Sequence, residues 1–172
     1  MRPKTKPTDY WSTPEYFYRL IREEFDPQID VCANINNAKC VNFFTEGMNA
    51  LDLDWIKGAE GLGVKPVFWC NPPYSRIEPW VRKAWEVSHQ GGKTIMLLPA
   101  STDTIWFHAF ILPYASWRPI KGRIHFDAPP GLKISGPRAG NQIAIFGHHD
   151  GIQRTYHVTR SHAELRPPKR DQ

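Results

Sequence analysis

Apolar residues at Tyr16, Phe17, Leu20, Ile21 and Phe25 recur with helical spacing, which predicts a helix over about 14–25. Its start is marked by Ser12-Thr13-Pro14-Glu15: a capping hydroxyl, a proline at an early helical position and a glutamate three residues after Ser12. Pro27 ends it. Next, Ile29-Asp30-Val31-Cys32-Ala33 predicts a short strand running into the polar loop Asn34 to Asn37. Val41 to Thr45 predicts a second strand, and Ala50-Leu51 before Asp52 a third, weaker one. The glycine- and charge-rich stretch from Lys57 to Lys65 is expected to be a surface loop.

Val67 to Cys70 is apolar and strand-like, and Trp80, Val81, Ala84, Trp85 and Val87 mark an amphipathic helix that Gly91-Gly92 stops. Thr94 to Leu98 predicts another strand, and Ser101-Thr102-Asp103 caps a third helix reaching about Leu112. Trp117 to Phe126, Gln142 to Phe146 and Arg154 to Val158 then predict strands. Strands alternating with helices, followed by a strand-rich end, imply an α/β fold. Its sheet is mostly parallel, with helices on both faces and an antiparallel C-terminal edge. Such sheets bind ligands at the carboxyl ends of their strands, and Asn71-Pro72-Pro73-Tyr74 lies at one of these ends.

Two prolines cannot donate to a neighbouring strand, so they end the sheet in a stiff loop whose carbonyls stay available as acceptors. The Asn71 side chain adds another acceptor, and Tyr74 adds a ring. Acceptors beside a ring suit a planar group carrying an NH2, such as the exocyclic amine of a nucleobase. Accepting both amine hydrogens favours the pyramidal, partly positive nitrogen that develops as it reacts. Asparagine is not a base at neutral pH, so it orients and polarises, and proton loss follows. A plain turn is the competing reading of the same four residues.

The chain has 172 residues, enough for one domain with its own core, and 41% of them are hydrophobic. A formal charge of +5 favours an anionic partner such as nucleic acid. Part of that excess sits in basic ends, at about 1–8 and 163–172, which are expected to be flexible. Cys32, Cys40 and Cys70 lack metal or disulfide spacing, and no leader or membrane-length apolar stretch is evident, so a cytoplasmic setting is expected. Gly91-Gly92-Lys93-Thr94 lacks the first glycine of a phosphate loop, and His148-His149-Asp150 lacks further ligands, so no metal is expected.

With these residues in view, the chain resembles the amino-methylating DNA methyltransferases, whose catalytic loop is (D/N/S)-P-P-(Y/F/W). More closely, it is similar to the phage-type, Dam-like DNA N6-adenine methyltransferases. The resemblance rests on six segments in order: DYWSTPEYF, IDVCANINNAKC, NALDLDW, WCNPPYSRIEPWVRKAW, LLPASTDTIWFH and KGRIHF. It implies a single Rossmann-like methyltransferase domain over 1–172, with S-adenosyl-L-methionine as methyl donor and double-stranded DNA as partner. No membrane or obligate protein partner is implied, and a phage or prophage gene would place the protein in the host cytoplasm. Asn71, Pro72, Pro73 and Tyr74 are implied as the catalytic loop that takes a flipped-out adenine. Trp11, Thr13, Pro14, Asp30, Ala33 and Asp52 are implied as cofactor contacts.

One departure from the resemblance is that Asp30 to Asn37 contains no glycine, where many such enzymes have a glycine-rich turn. Too little chain follows the catalytic loop for a full target-recognition domain. DNA contacts are therefore expected from Ser75, Arg76, Lys121 and Arg123, and from the loops Lys57 to Lys65 or Asp127 to Asn141. Amino-methylation of cytosine N4 or a protein glutamine, and an inactive nucleic-acid binding module, are the rival readings.

Overall fold

The structure is a computed structural model, with residues 7–129, 131, 139–147 and 155–166 described. Helix α1, Glu15–Phe25, buries Phe17, Tyr18, Ile21 and Phe25, the stripe that the 3.6-residue period selects. Burying each such side chain contributes roughly 1.5–3 kcal/mol. Ser12 does not cap α1: Pro14, in an extended conformation, is the residue before its first turn. The Ser12 backbone pairs instead with Asp127, through N–H···O bonds of 3.0 and 2.9 Å. Asp26 ends the helix in a left-handed conformation (φ 49°), its N–H donating to the Arg22 carbonyl.

Among the described residues eight strands form one sheet: β1 Ile29–Ala33, β2 Asn42–Thr45, β3 Val67–Cys70, β4 Lys93–Pro99, β5 Ala115–Lys121, β6 Asn141–Phe146, β7 Thr155–Val158 and β8 Ala163–Arg166. Their order is β2-β1-β3-β4-β6-β5-β7-β8. The first four are mutually parallel; β6 runs antiparallel between β4 and β5, β7 parallels β5, and β8 closes antiparallel to β7. Alternation along the strands splits the core. Phe68, Cys70, Met96 and Leu98 face helices α2 (Trp55–Leu62) and α3 (Glu78–His89), while Trp69, Ile95 and Leu97 face α1.

The stretch from Lys57 to Lys65 is not a loop. Helix α2, Trp55–Leu62, begins at Asp54, whose carboxylate accepts from the Lys57 N–H, and ends at Gly63 with φ 66°. Trp55 and Ala59, four residues apart, are buried against the sheet, and this tertiary contact overrides the weak propensity of Gly58 and Gly61. Ala50-Leu51 is a turn rather than a strand, because Asn49 is left-handed (φ 49°) and Asp52 N–H bonds the Asn49 carbonyl.

Helix α3, Glu78–His89, follows the Asn71–Tyr74 loop as expected. The third expected helix is a π-helical segment, Phe107–Ile111, leading into the short α4, Leu112–Tyr114. The strand expected from Trp117 to Phe126 stops early. Gly122 (φ 106°) turns the chain so close to β7 that a Cβ there would stand 2.0 Å from the Val158 carbonyl oxygen. Ala163–Arg166 is a paired strand within the stretch expected to be a flexible end; residues 1–6, 148–154 and 167–172, and 130 and 132–138 of the expected DNA loop Asp127 to Asn141, lie outside the described residues.

One buried charge ties the sheet's far end to α1. Arg118 Nη1 donates to both Glu24 carboxylate oxygens at 2.8 and 2.9 Å and to the Tyr156 hydroxyl at 3.1 Å. Arg118 is 1% exposed, so this group links β5, β7 and α1 in a largely water-free setting.

Candidate active site

The parallel strands β1, β3 and β4 end on one edge of the sheet, and two hollows lie there on either side of Asn71-Pro72-Pro73-Tyr74. The larger is a cleft of about 180 Å³, with Pro73 in its wall. The smaller measures about 10 Å³ and is walled by Asn71, Pro72 and Tyr74 together with Asp9, Trp11 and Phe126. The double proline ends β3, and the loop it stiffens is the partition between them.

The cleft floor comes from Val31, Cys32 and Ala33 on β1 and from Phe44 and Thr45 on β2. Polar groups sit around it: the side chains of Asn34, Asn37, Asn49 and Glu46, with Trp80 on the α3 side. The glycine-free turn after β1 is organised by side chains. Asn34 Oδ1 accepts the Asn36 N–H at 2.8 Å, and Asn37 Oδ1 accepts the Asn34 N–H at 2.7 Å. Asp30, buried below, accepts the N–H groups of Cys32 (3.1 Å) and Lys39 (3.0 Å). Burial pushes the Asp30 carboxyl up to about 6 despite those two hydrogen bonds.

Around the smaller hollow, Asn71 Nδ2 donates to the Trp11 carbonyl at 3.2 Å, which leaves the acceptor oxygen on the opposite arm of the amide. The Tyr74 hydroxyl accepts from Asn141 Nδ2 at 2.9 Å and reaches the Leu97 carbonyl at 3.5 Å. Burial holds its phenol well above the usual value, so it stays protonated. Phe126 meets the Tyr74 ring edge-on (6.2 Å, 89°) and the Trp11 ring at a tilt (5.7 Å, 31°). Three aromatic side chains from three distant segments therefore frame one small space.

Of the residues expected to contact a cofactor, Ala33 borders the cleft. Trp11 borders the smaller hollow instead. Thr13 and Pro14 are buried and do not line either one, and Asp30 supports the cleft's turn from beneath. Asp52 accepts from Asn49 Nδ2 and is not among the cleft's lining residues, whereas the acidic Glu46 is. Glu46, Asp9, Phe126 and Asn141 were not singled out from the sequence. Glu46 had a readable signal, an acid immediately after a parallel strand, whereas the other three are brought in by pairings across the fold.

Of the residues expected to contact DNA, Ser75 is bound to Asp9, and Arg76 is exposed beside it. Lys121, the last residue of β5, and Arg123, just past its end, are exposed on the same edge as the Asn71–Tyr74 loop. Arg123 extends toward Gly140, where a Cβ would stand 3.4 Å from its Nη1.

Residues 2–161 match the family described as DNA N-6-adenine-methyltransferase (Dam). The chain belongs to this family. It is 33% identical over 100 residues to the DNA N-6-adenine-methyltransferase of Escherichia phage T1, covering 58% of this chain and 39% of that protein. It is 35% identical over 107 residues to the protein of the same name from Haemophilus phage HP1, covering 60% of this chain and 57% of that one. The chain thus spans about half the length of these relatives. A solved type IIL restriction-modification enzyme in complex with DNA aligns with a TM-score of 0.44 and 14% identity, over 87% of this chain and 24% of that one.

In this Dam-family chain no thiol is poised as a nucleophile. Burial pushes Cys32 and Cys70 up and takes Cys40 up to about 12, so all three stay protonated at neutral pH. Among the described residues there is no group of three potential metal ligands and no helix long and apolar enough to cross a membrane.

Proposed function

We propose that this Dam-family chain transfers a methyl group from S-adenosyl-L-methionine to the N6 amine of a flipped-out adenine in double-stranded DNA. The observation that carries this reading is the partition. One side of the Asn71–Tyr74 loop faces a polar and aromatic cleft, and the other faces a hollow of acceptors and rings.

The cleft's chemistry fits a nucleoside donor. Glu46 offers a carboxylate to ribose hydroxyls, Asn34, Asn37 and Asn49 offer amides, and Trp80 and Phe44 offer apolar faces to a ring. The donor, when bound, supplies an electrophilic sulfonium methyl. On the other side Tyr74 stacks on the target base, while Asn71 Oδ1 and the Pro72 carbonyl accept the two amine hydrogens. That grip favours the pyramidal nitrogen and points its lone pair across Pro73. Asn71 is kept in this orientation by its bond to the Trp11 carbonyl.

A hollow of 10 Å³ holds about one water, so its walls separate when a base enters. Arg76, Lys121 and Arg123, exposed on the same edge, suit the phosphates on either side of the extruded nucleotide, and binding then weakens steeply with salt. If the gene is carried by a phage or prophage, the DNA is met in the host cytoplasm. The test is transfer of labelled methyl groups to unmethylated duplex DNA, followed by digestion to nucleosides. N6-methyladenine is the expected product. N4-methylcytosine, or no transfer with DNA binding retained, refutes the reading.

A further inference from the structure

We propose that Asp9 is a positioning residue for the transfer reaction: through Ser75, its carboxylate latches the catalytic loop to the N-terminal segment that walls both hollows. Asp9 is the one described residue that borders both the cleft and the smaller hollow. Its Oδ1 accepts the Ser75 N–H at 3.1 Å, and its Oδ2 accepts the Ser75 hydroxyl at 2.7 Å, across 66 positions of sequence. Both bonds end on a carboxylate, the stronger class of hydrogen bond.

The latch completes a strap. Residues 9–11 line the two hollows, and the segment 9–12 is tied on one side to the catalytic loop and on the other to residues 126–127. The loop side has two ties, Asn71 to the Trp11 carbonyl at the loop's start and Ser75 to Asp9 just past its end. The Arg76 N–H, bonded to the Pro73 carbonyl at 3.0 Å, closes the turn between them. The far side has the Ser12–Asp127 backbone pair and the contact of Trp11 with Phe126.

The spacing between strap and loop therefore sets both the width of the target hollow and the position of Pro73 in the cleft wall. The Asp9–Ser75 tie contributes little to global stability, because its bonds are solvent-exposed. What they supply is alignment, and a misplacement on the order of 1 Å costs about 100-fold in rate.

This inference rests on the methyltransferase reading above. Its test compares Asp9→Ala, Asp9→Asn, Ser75→Ala and the double Asp9→Ala/Ser75→Ala in the full chain. Three readouts are taken: single-turnover transfer at saturating donor and DNA, thermal stability, and hydrogen exchange over residues 70–76. Asp9→Ala lowers the transfer rate at least about tenfold while the melting temperature moves by no more than about 2 °C. Asp9→Asn, which keeps an acceptor for the Ser75 N–H, recovers most of that loss. Ser75→Ala lowers the rate in the wild-type background and has no further effect once Asp9 is alanine.

A wild-type rate in Asp9→Ala, or effects of the two substitutions that simply multiply, overturns the latch. If the wild-type protein transfers no methyl group, the methyltransferase reading is what fails, and exchange decides the latch separately. Faster exchange over 70–76 in Asp9→Ala supports it, and unchanged exchange overturns it.

Discussion

Tyr74 serves the proposed chemistry in two separable ways, and substitution tells them apart. Its ring is the stacking surface, and its hydroxyl is the anchor that fixes the ring through Asn141 at 2.9 Å and, more weakly, the Leu97 carbonyl at 3.5 Å. Removing the ring in Tyr74→Ala forfeits roughly 1–3 kcal/mol of stacking on the target base, about 5- to 150-fold in affinity for the flipped state. Tyr74→Phe keeps the ring and the edge contact with Phe126 but loses the anchor, a net effect of about 1 kcal/mol or roughly fivefold.

A duplex carrying a fluorescent adenine analogue at the target position reports extrusion of the base, and single-turnover transfer reports the chemistry. Tyr74→Ala is expected to suppress both signals, with Tyr74→Phe staying within about tenfold of wild type. Equal damage from the two substitutions would refute stacking as the role of the ring and point to the hydroxyl instead.

Arg118→Ala removes the guanidinium from Glu24 and Tyr156, whose mutual 3.0 Å hydrogen bond remains. It is expected to cost about 3 kcal/mol, the lower end for a broken buried pair because Glu24 is 19% exposed, or roughly 10 °C in melting temperature. A loss below about 1 kcal/mol in urea unfolding contradicts that. Asp30, raised from 3.8 to about 6, favours a proton in the folded state. Its contribution is therefore full below pH 3.8 and is lost as pH rises through about 6, a change on the order of 3 kcal/mol. Asp30→Asn should flatten that part of the pH–stability curve, and an unchanged slope there argues against the burial mechanism. Glu46→Ala is expected to weaken donor binding at least about tenfold by calorimetry with DNA affinity intact, and equal donor affinity removes Glu46 from the site.

Much of the site was legible because it is local. The strand, the two prolines and the following helix are contiguous, so Asn71–Tyr74 and α3 could be read from one stretch of chain. Helix α2 was hidden because Gly58, Gly61 and Gly63 look like loop residues until Trp55 and Ala59 are seen packed on the sheet. Asp52 was implied by the resemblance alone, and Glu46 was not considered, because the turn that separates the two depends on Asn49, a left-handed residue that no pattern announces. Asp9, Phe126 and Asn141 reach the loop only through long-range contacts. Asn141 sits at the start of the antiparallel β6, 67 positions from the hydroxyl it holds.

In the proposed reaction the Asn71–Tyr74 loop grips an adenine amine for methyl transfer. The most direct test is nucleoside analysis of unmethylated duplex DNA incubated with S-adenosyl-L-methionine and either the wild-type protein or Asn71→Ala. The prediction is N6-methyladenine with the wild type, and a rate lower by about 100-fold or more with Asn71→Ala while donor binding persists. An Asn71→Ala protein as active as wild type, or a wild type that produces no N6-methyladenine, would contradict it.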